Sequence, residues 1–172
     1  MIHVLEDCLP DEKFNNVFNC IDPDVRGWYL ANPVDAKDPT GVVSWGRSIY
    51  DQLSDMPIYD ASVIIQLKSQ RLLRKRLRLQ RLHLNGQTSD QPSEFHIDNP
   101  RPLGRCYTVV LFTSPIWNVG WGGAFNLYDS VKNKYEMVPY IPNNAVLFDS
   151  AEDHFGESPN TKLAFFCVSL SL

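Results

Sequence analysis

A chain of 172 residues, 44% hydrophobic and 21% charged, is long enough for one domain with a buried core and is not disordered by composition. Its net charge of −4 gives no general attraction to nucleic acid or to an anionic membrane. The scattered Cys8, Cys20, Cys106 and Cys167 form no C-x-x-C pair, which excludes a zinc knuckle or thioredoxin-like site and reads as free thiols in a reducing compartment. Glu6 and Asp7 interrupt any secretory signal, and no apolar run nears the roughly 20 residues of a membrane helix, so the expectation is a cytoplasmic protein.

In chain order, the first third, about 1–76, reads as a helical and loop-rich support region. Asp11 starts a short helix to about Cys20, with Phe14, Val17 and Phe18 on one face. Pro23, Pro33 and Pro39 then break up a loop-rich stretch that holds Trp28, Tyr29 and Trp45. A second helix is expected over Gly46 to Ser54. A third starts at Pro57, a favoured first-turn residue, and carries Ile64, Ile65 and Leu67.

From about Leu77 the pattern changes to short β-type runs: 77–79, 82–84 closed by Asn85-Gly86, 107–112, 124–128, 135–138, 145–148 and 163–170. Turn residues separate them, among them Pro115, Gly122-Gly123, Pro139 and Pro142-Asn143-Asn144. Many short strands at regular spacing predict a mainly β sandwich or barrel with the opening helices packed outside. Residues 1–172 then form one domain, whose core is 77–172.

Chemistry concentrates in two places. In Phe95-His96-Ile97-Asp98, an extended backbone points His96 and Asp98 to the same side. Imidazole plus carboxylate suits iron(II) with open positions better than a closed thiolate zinc site. His154 follows an acidic turn, 58 positions after His96, and completes a two-histidine, one-carboxylate set. Lys162 comes eight residues later and is expected to open a strand 162–170, with Ala164, Phe166 and Val168 sharing its inward face. A lysine so placed calls for a partner anion.

The order of these motifs resembles the prolyl 4-hydroxylase-like branch of the iron(II)/2-oxoglutarate oxygenases, over about Leu82 to Leu172. His96-Ile97-Asp98, Gly122-Gly123, His154 and Lys162 look like that family's H-x-D, double glycine, distal histidine and co-substrate cation. The stretch from Arg105 through Thr108 to Phe112 is similar to its strand after the H-x-D, and Val138-Pro139 to Phe148 to its approach to the distal histidine. The resemblance implies a double-stranded β-helix, a jelly roll of the cupin kind. It further implies iron(II) on His96, Asp98 and His154, with 2-oxoglutarate and O₂ as co-substrates. The reaction it implies is a hydroxylation of a peptidyl proline or a small molecule, coupled to oxidative decarboxylation of 2-oxoglutarate to succinate.

Two residues depart from the family pattern. Most of the branch has arginine where this chain has Lys162. The tyrosine that usually faces the co-substrate falls at Phe112, which cannot donate a hydrogen bond, so Tyr107 is the candidate replacement. Arg105 is the alternative cation. The loop 113–123, with Trp117 and Trp121, is read either as an apolar rim of the mouth or as aromatics packed on the sheet.

The rival reading is a cupin-like metal-binding or structural module without catalysis. The basic run Lys68, Arg71, Arg74, Lys75, Arg76, Arg78 and Arg81 has the charge to track a phosphate backbone or an acidic peptide. Its interleaved leucines read instead as a solvated face passing from helix to strand. The alkylated-nucleobase demethylases of the superfamily that the chain resembles carry two arginines after the distal histidine. None follows His154, so the resemblance counts against action on nucleobases, and neither nucleic acid nor membrane is an expected partner. The substrate and the oligomeric state are not fixed by the sequence.

Overall fold

The computed structural model describes residues 2–21, 29–31, 44–49, 55–89, 94–99 and 105–172. Its strands are β1 (His3–Leu5), β2 (Tyr29–Ala31), β3 (Ser44–Ser48), β4 (Arg81–Gln87), β5 (Tyr107–Phe112), β6 (Phe125–Asp129), β7 (Lys134–Val138), β8 (Ala145–Asp149), β9 (His154–Gly156) and β10 (Phe165–Ser171). Its helices are α1 (Asp11–Ile21) and α2 (Met56–Leu73).

Among the described residues the strands form two antiparallel sheets. The larger runs β1-β8-β5-β10-β4-β3-β2 and the smaller β7-β6-β9. The alternation of side chains in each strand decides which layer it feeds. On β5, Val109 and Leu111 face the helices and share a core with Val17 and Ile21 of α1 and Ile58, Ala61 and Ile65 of α2. Val110 and Phe112 face the other way, into a second core with Val146 and Phe148 of β8 and Phe125 and Leu127 of β6. The helices therefore back the large sheet, and the second core lies between the sheets, as a double-stranded β-helix requires.

The helices follow from their sequences. Phe14, Val17 and Ile21 put one buried face on α1, and Asp11 and Glu12 occupy its first turn, where the helix dipole favours negative charge. Pro57 sits in the first turn of α2, and Arg74 ends it in a left-handed conformation with φ 54°.

The structure corrects several expectations. Residues 44–48 form β3, so no helix begins at Gly46; residues 50–54 lie outside the described set, as do Pro23, Pro33, Pro39 and Trp28. Glycine and Trp45 in a short run carry no helical period, and pairing with β4 (Trp45 opposite Gly86) settles the segment as strand. The support region accordingly gives three strands to the large sheet rather than only helices and loops. Asn85-Gly86 does not close a turn but lies inside β4, paired with Cys167 and Phe166. Residues 77–79 are not strand, and β10 starts at Phe165, not at Lys162.

Candidate metal centre

The H-x-D segment reaches the small sheet through one isolated bridge. The His96 backbone N–H donates to the His154 carbonyl (2.9 Å), and the His154 N–H returns the bond (3.0 Å). That bridge sets the two rings side by side, with centroids 4.4 Å apart. Asp98, two residues on, turns to the same side. Its carboxylate oxygens lie 3.8 Å from His96 Nε2 and 3.7 Å from His154 Nε2. One ligand atom from each of the three lies within 4.8 Å of the others. Two ligands each about 2.1 Å from a shared ion stand at most about 4.2 Å apart, and each histidine Nε2 lies within that span of one Asp98 oxygen, His96 of Oδ1 and His154 of Oδ2.

Hydrogen bonds pre-set the ligating atoms. Nδ1 of His96 is 3.0 Å from the Glu94 carbonyl, and Nδ1 of His154 is 3.0 Å from the Glu152 carbonyl. Each ring therefore keeps its proton on Nδ1 and turns a bare Nε2 toward Asp98. Glu152 is itself tied down, its carboxylate accepting from the Ser130 hydroxyl (2.9 Å) and backbone N–H (3.3 Å). Burial holds the His154 imidazole below its ordinary pKa, the nearby Asp98 opposing and His96 reinforcing the shift, which favours the neutral, ligating form. Phe148 and Phe125 pack against that ring at 4.6 and 5.5 Å. His154 is 4% exposed, whereas His96 and Asp98 sit nearer the solvent.

Thr108 and Ser150 brace the candidate centre, a part that the sequence reading did not give them. The buried Thr108 hydroxyl donates to Asp98 Oδ2 (2.7 Å) and is 2.9 Å from the Ser150 hydroxyl. Asp98 thus keeps one oxygen braced by the large sheet, while the Asn99 N–H anchors the following residue on the Ser150 carbonyl (3.0 Å). The signal was available: a threonine on the inward side of the strand after H-x-D is at the right height to meet the aspartate.

The other candidates are distributed as the strand alternation dictates. Thr108 faces the centre, so its neighbour Tyr107 faces the helices, where its hydroxyl accepts from Lys75 Nζ (2.6 Å). Tyr107 is therefore not on the side that would meet a co-substrate, and its expected role is withdrawn. Phe112 is on the inner side, stacked at 4.6 Å on Tyr140. The buried Tyr140 hydroxyl donates to the Phe166 carbonyl (2.6 Å) and accepts from the Ser114 N–H (2.9 Å), so the phenol missing at Phe112 is present next to it on another loop. Trp117 packs on the same Tyr140 at 5.0 Å and donates to the Gly122 carbonyl, the packed arrangement rather than a free rim.

Arg105 is engaged with Asp149, the last residue of β8, at 3.0 Å. Lys162 is exposed in the bend before β10 and forms no ion pair among the described residues. Val168, expected on its inward face, belongs to the core against the helices. Lys162 is nonetheless the sole lysine or arginine after Lys134 in the chain.

Two imidazoles and one carboxylate, with both Nδ1 atoms on carbonyls and no cysteine in the set among the described residues, form a candidate non-haem metal centre whose donor set fits iron(II). Comparison with known proteins gives the family. The model of the 2OG-Fe(II) oxygenase superfamily matches residues 82–167, half of the chain, and the chain belongs to that superfamily. No curated protein sequence matches it. Among solved structures, a prolyl hydroxylase from Trichoplax adhaerens in complex with a hypoxia inducible factor peptide is similar (TM-score 0.79, 19% identity, 99% of this chain and 82% of that one). A Pseudomonas putida prolyl-4-hydroxylase is similar at TM-score 0.74 and 16% identity, over 99% and 91% of the two chains. An α-ketoglutarate-dependent epimerase from nogalamycin biosynthesis reaches 0.73 at 12% identity, over 99% and 77%. These likenesses establish the fold, which is prolyl 4-hydroxylase-like. The protein is thus an iron(II)- and 2-oxoglutarate-dependent oxygenase, which uses iron(II) as cofactor and 2-oxoglutarate and O₂ as co-substrates.

Proposed function

We propose that His96, Asp98 and His154 hold iron(II), that Lys162 receives the distal carboxylate of 2-oxoglutarate, and that the chain hydroxylates a peptidyl proline. The observation that carries the metal assignment is the convergence of two Nδ1-anchored histidines on a threonine-braced aspartate. When bound, iron supplies the redox chemistry with O₂; the chain binds, orients and excludes water. The overall reaction consumes substrate C–H, O₂ and 2-oxoglutarate and yields substrate C–OH, succinate and CO₂.

Held by His96, Asp98 and His154, the ion would keep room for the 2-oxo acid end of the co-substrate, and the distal carboxylate would then point away from the three ligands. A carboxylate leaving water requires a cation. Lys162 supports that role by its place after His154 and its lack of an ion pair among the described residues, and its long stem permits reach from the exposed bend.

The peptidyl reading is supported by the hypoxia inducible factor peptide held by the Trichoplax relative. The second reading, a small-molecule substrate, is supported by the nogalamycin epimerase of similar fold. Incubation of the protein with iron(II), 2-oxoglutarate and libraries of proline-containing peptides and of metabolites tests this. Gain of one oxygen on a peptide prolyl residue is expected; oxygen gain confined to small molecules overturns the peptidyl reading.

A further inference from the structure

The basic run that the sequence reading set aside as a solvated face has a built geometry. Arg71, Arg74, Lys75, Arg76, Arg78 and Arg81 are all exposed, and none of them forms an ion pair among the described residues. The interleaved Leu73, Leu77 and Leu79 turn inward and pack against the helix-side core. Nor is the segment a loose tail. Leu77 is clamped by both of its backbone groups, its N–H on Gln70 Oε1 (3.2 Å) and its carbonyl on Gln66 Nε2 (2.8 Å). The Gln80 N–H then donates to the Ser171 carbonyl (2.8 Å).

We propose that this surface, the outer face of α2 together with residues 74–81, docks an acidic polypeptide segment carrying aliphatic side chains. Along α2, Val63 and Leu67 are 55% and 49% exposed and line up at helical spacing with Arg71. Leu72, 44% exposed, lies beside them. Beyond the helix, Arg76 and Arg78 point outward at alternate positions, the same period at which an extended peptide presents one face. Mixed aliphatic and guanidinium groups complement an acidic, leucine- or valine-bearing peptide, and the planar guanidinium pairs with carboxylates through two hydrogen bonds.

The alternatives fit less well. Residues 61–81 contain no aromatic side chain on which a base could stack. Seven of the 16 lysines and arginines lie in 68–81 with no acidic residue among them, so the other nine face all 20 acidic residues. A nucleic acid or an anionic bilayer extends past the patch and meets that acidic remainder, whereas a short peptide does not. The surface also leads to the metal centre. Gln80 reaches Cys106 Sγ (3.9 Å), and Asn99, next to Asp98, reaches the same sulfur at 3.2 Å.

The test is fluorescence polarisation of a labelled peptide of glutamate, serine and leucine, at about 50 mM salt, where surface charges are weakly screened. It is run on the full chain without iron or 2-oxoglutarate, so failure here is separable from failure of the hydroxylase reading. Comparators are the same peptide with lysine for glutamate, a single-stranded oligonucleotide and phosphatidylserine vesicles. The acidic peptide is expected to bind best. The combined Arg74→Gln, Arg76→Gln and Arg78→Gln variant is expected to bind about tenfold more weakly, each exposed pair contributing roughly 1.5- to 5-fold. Lys132→Gln with Lys134→Gln, elsewhere on the surface, leaves binding unaltered. If the triple variant shows a changed melting midpoint, the single Arg76→Gln and Arg78→Gln variants carry the comparison. Absence of peptide binding, insensitivity to the arginine variants, or tighter binding of the oligonucleotide or vesicles overturns the proposal.

Discussion

At the residue scale, the metal centre depends on side chains that never touch the ion. Thr108 donates to Asp98 Oδ2, the oxygen 3.7 Å from His154 Nε2, and so holds the carboxylate in place while Oδ1 faces His96 Nε2. Thr108→Val keeps the shape and removes the donor. It is expected to weaken manganese(II) binding about 10- to 100-fold, the usual range for such supporting groups. Thr108→Ser is expected to restore most of it, and calorimetric titration of the metal reads both. His83 offers a separate test, of stability rather than chemistry. It is buried on β4, and burial, helped by Arg81, lowers its pKa to about 4. The unfolded chain takes up that proton near pH 6.5, the folded chain only near pH 4. Between those values the unfolded state binds more protons, so stability falls as pH drops from about 6.5 to about 4, by up to about 3 kcal/mol. Above pH 6.5 the residue contributes no slope. Urea melts of wild type and His83→Gln across that window check it; the variant should lose the part of the slope that His83 supplies.

At the scale of elements, one bridge among the described residues holds the H-x-D segment to the small sheet, and an aromatic clasp on the reverse side strengthens it. Phe95 packs edge-on against Phe155 at 4.4 Å and against Tyr135 at 5.3 Å, while their neighbours His96 and His154 pair across the bridge. Phe95→Ala removes aromatic pairs worth about 0.5–1.5 kcal/mol each. Manganese(II) affinity should fall about two- to tenfold, with Phe95→Tyr close to wild type. A melting midpoint that drops with metal affinity unaltered would show that the clasp serves stability alone. The double glycine is an element-scale feature of another kind. Gly122 adopts φ 75° and ψ −149°, and a Cβ there would meet the Ser158 carbonyl at 2.9 Å. Gly122→Ala is expected to cost about 1–3 kcal/mol, measurable as a fall of several degrees in the melting midpoint.

Elements differed in how legible they were. β5 and α2 were readable because apolar residues or a first-turn proline mark them locally. β1, β2 and β9 were not, being three residues each, nor was β3, whose five residues include a glycine and two serines; each is strand because a partner strand pairs with it. That His96 and Asp98 turn to the same side was legible because the period of two is fixed by the backbone; that His154 meets them depends on the bridge between two distant segments. The same period, applied to Tyr107 beside Thr108, would have excluded the tyrosine from the centre. Ser150 and Tyr140 went unseen because their contacts depend on which strands and loops become neighbours, which no local pattern encodes, whereas Thr108 stood in the quoted motif and its place on the strand after H-x-D was a local signal.

At the scale of the whole molecule, the two cores divide the work. The helix-side core fixes the large sheet, and the inner core, with Phe148 and Phe125 against His154, holds the buried ligand in place. No helix among the described residues is long and apolar enough to cross a membrane. On this account the jelly roll exists to bring one bridge, one braced carboxylate and one buried imidazole to a single point, and a cation after His154 completes the co-substrate site. Lys162→Ala should then raise the 2-oxoglutarate concentration needed for half-maximal succinate formation by about 10²- to 10³-fold, the cost of an unpaired buried carboxylate, with metal affinity little changed. The most direct measurement is succinate formation from 2-oxoglutarate, with and without iron(II), by wild type and His154→Ala. The account predicts iron-dependent succinate from the wild type and none above background from the variant. A His154→Ala protein that forms succinate at the wild-type rate contradicts it.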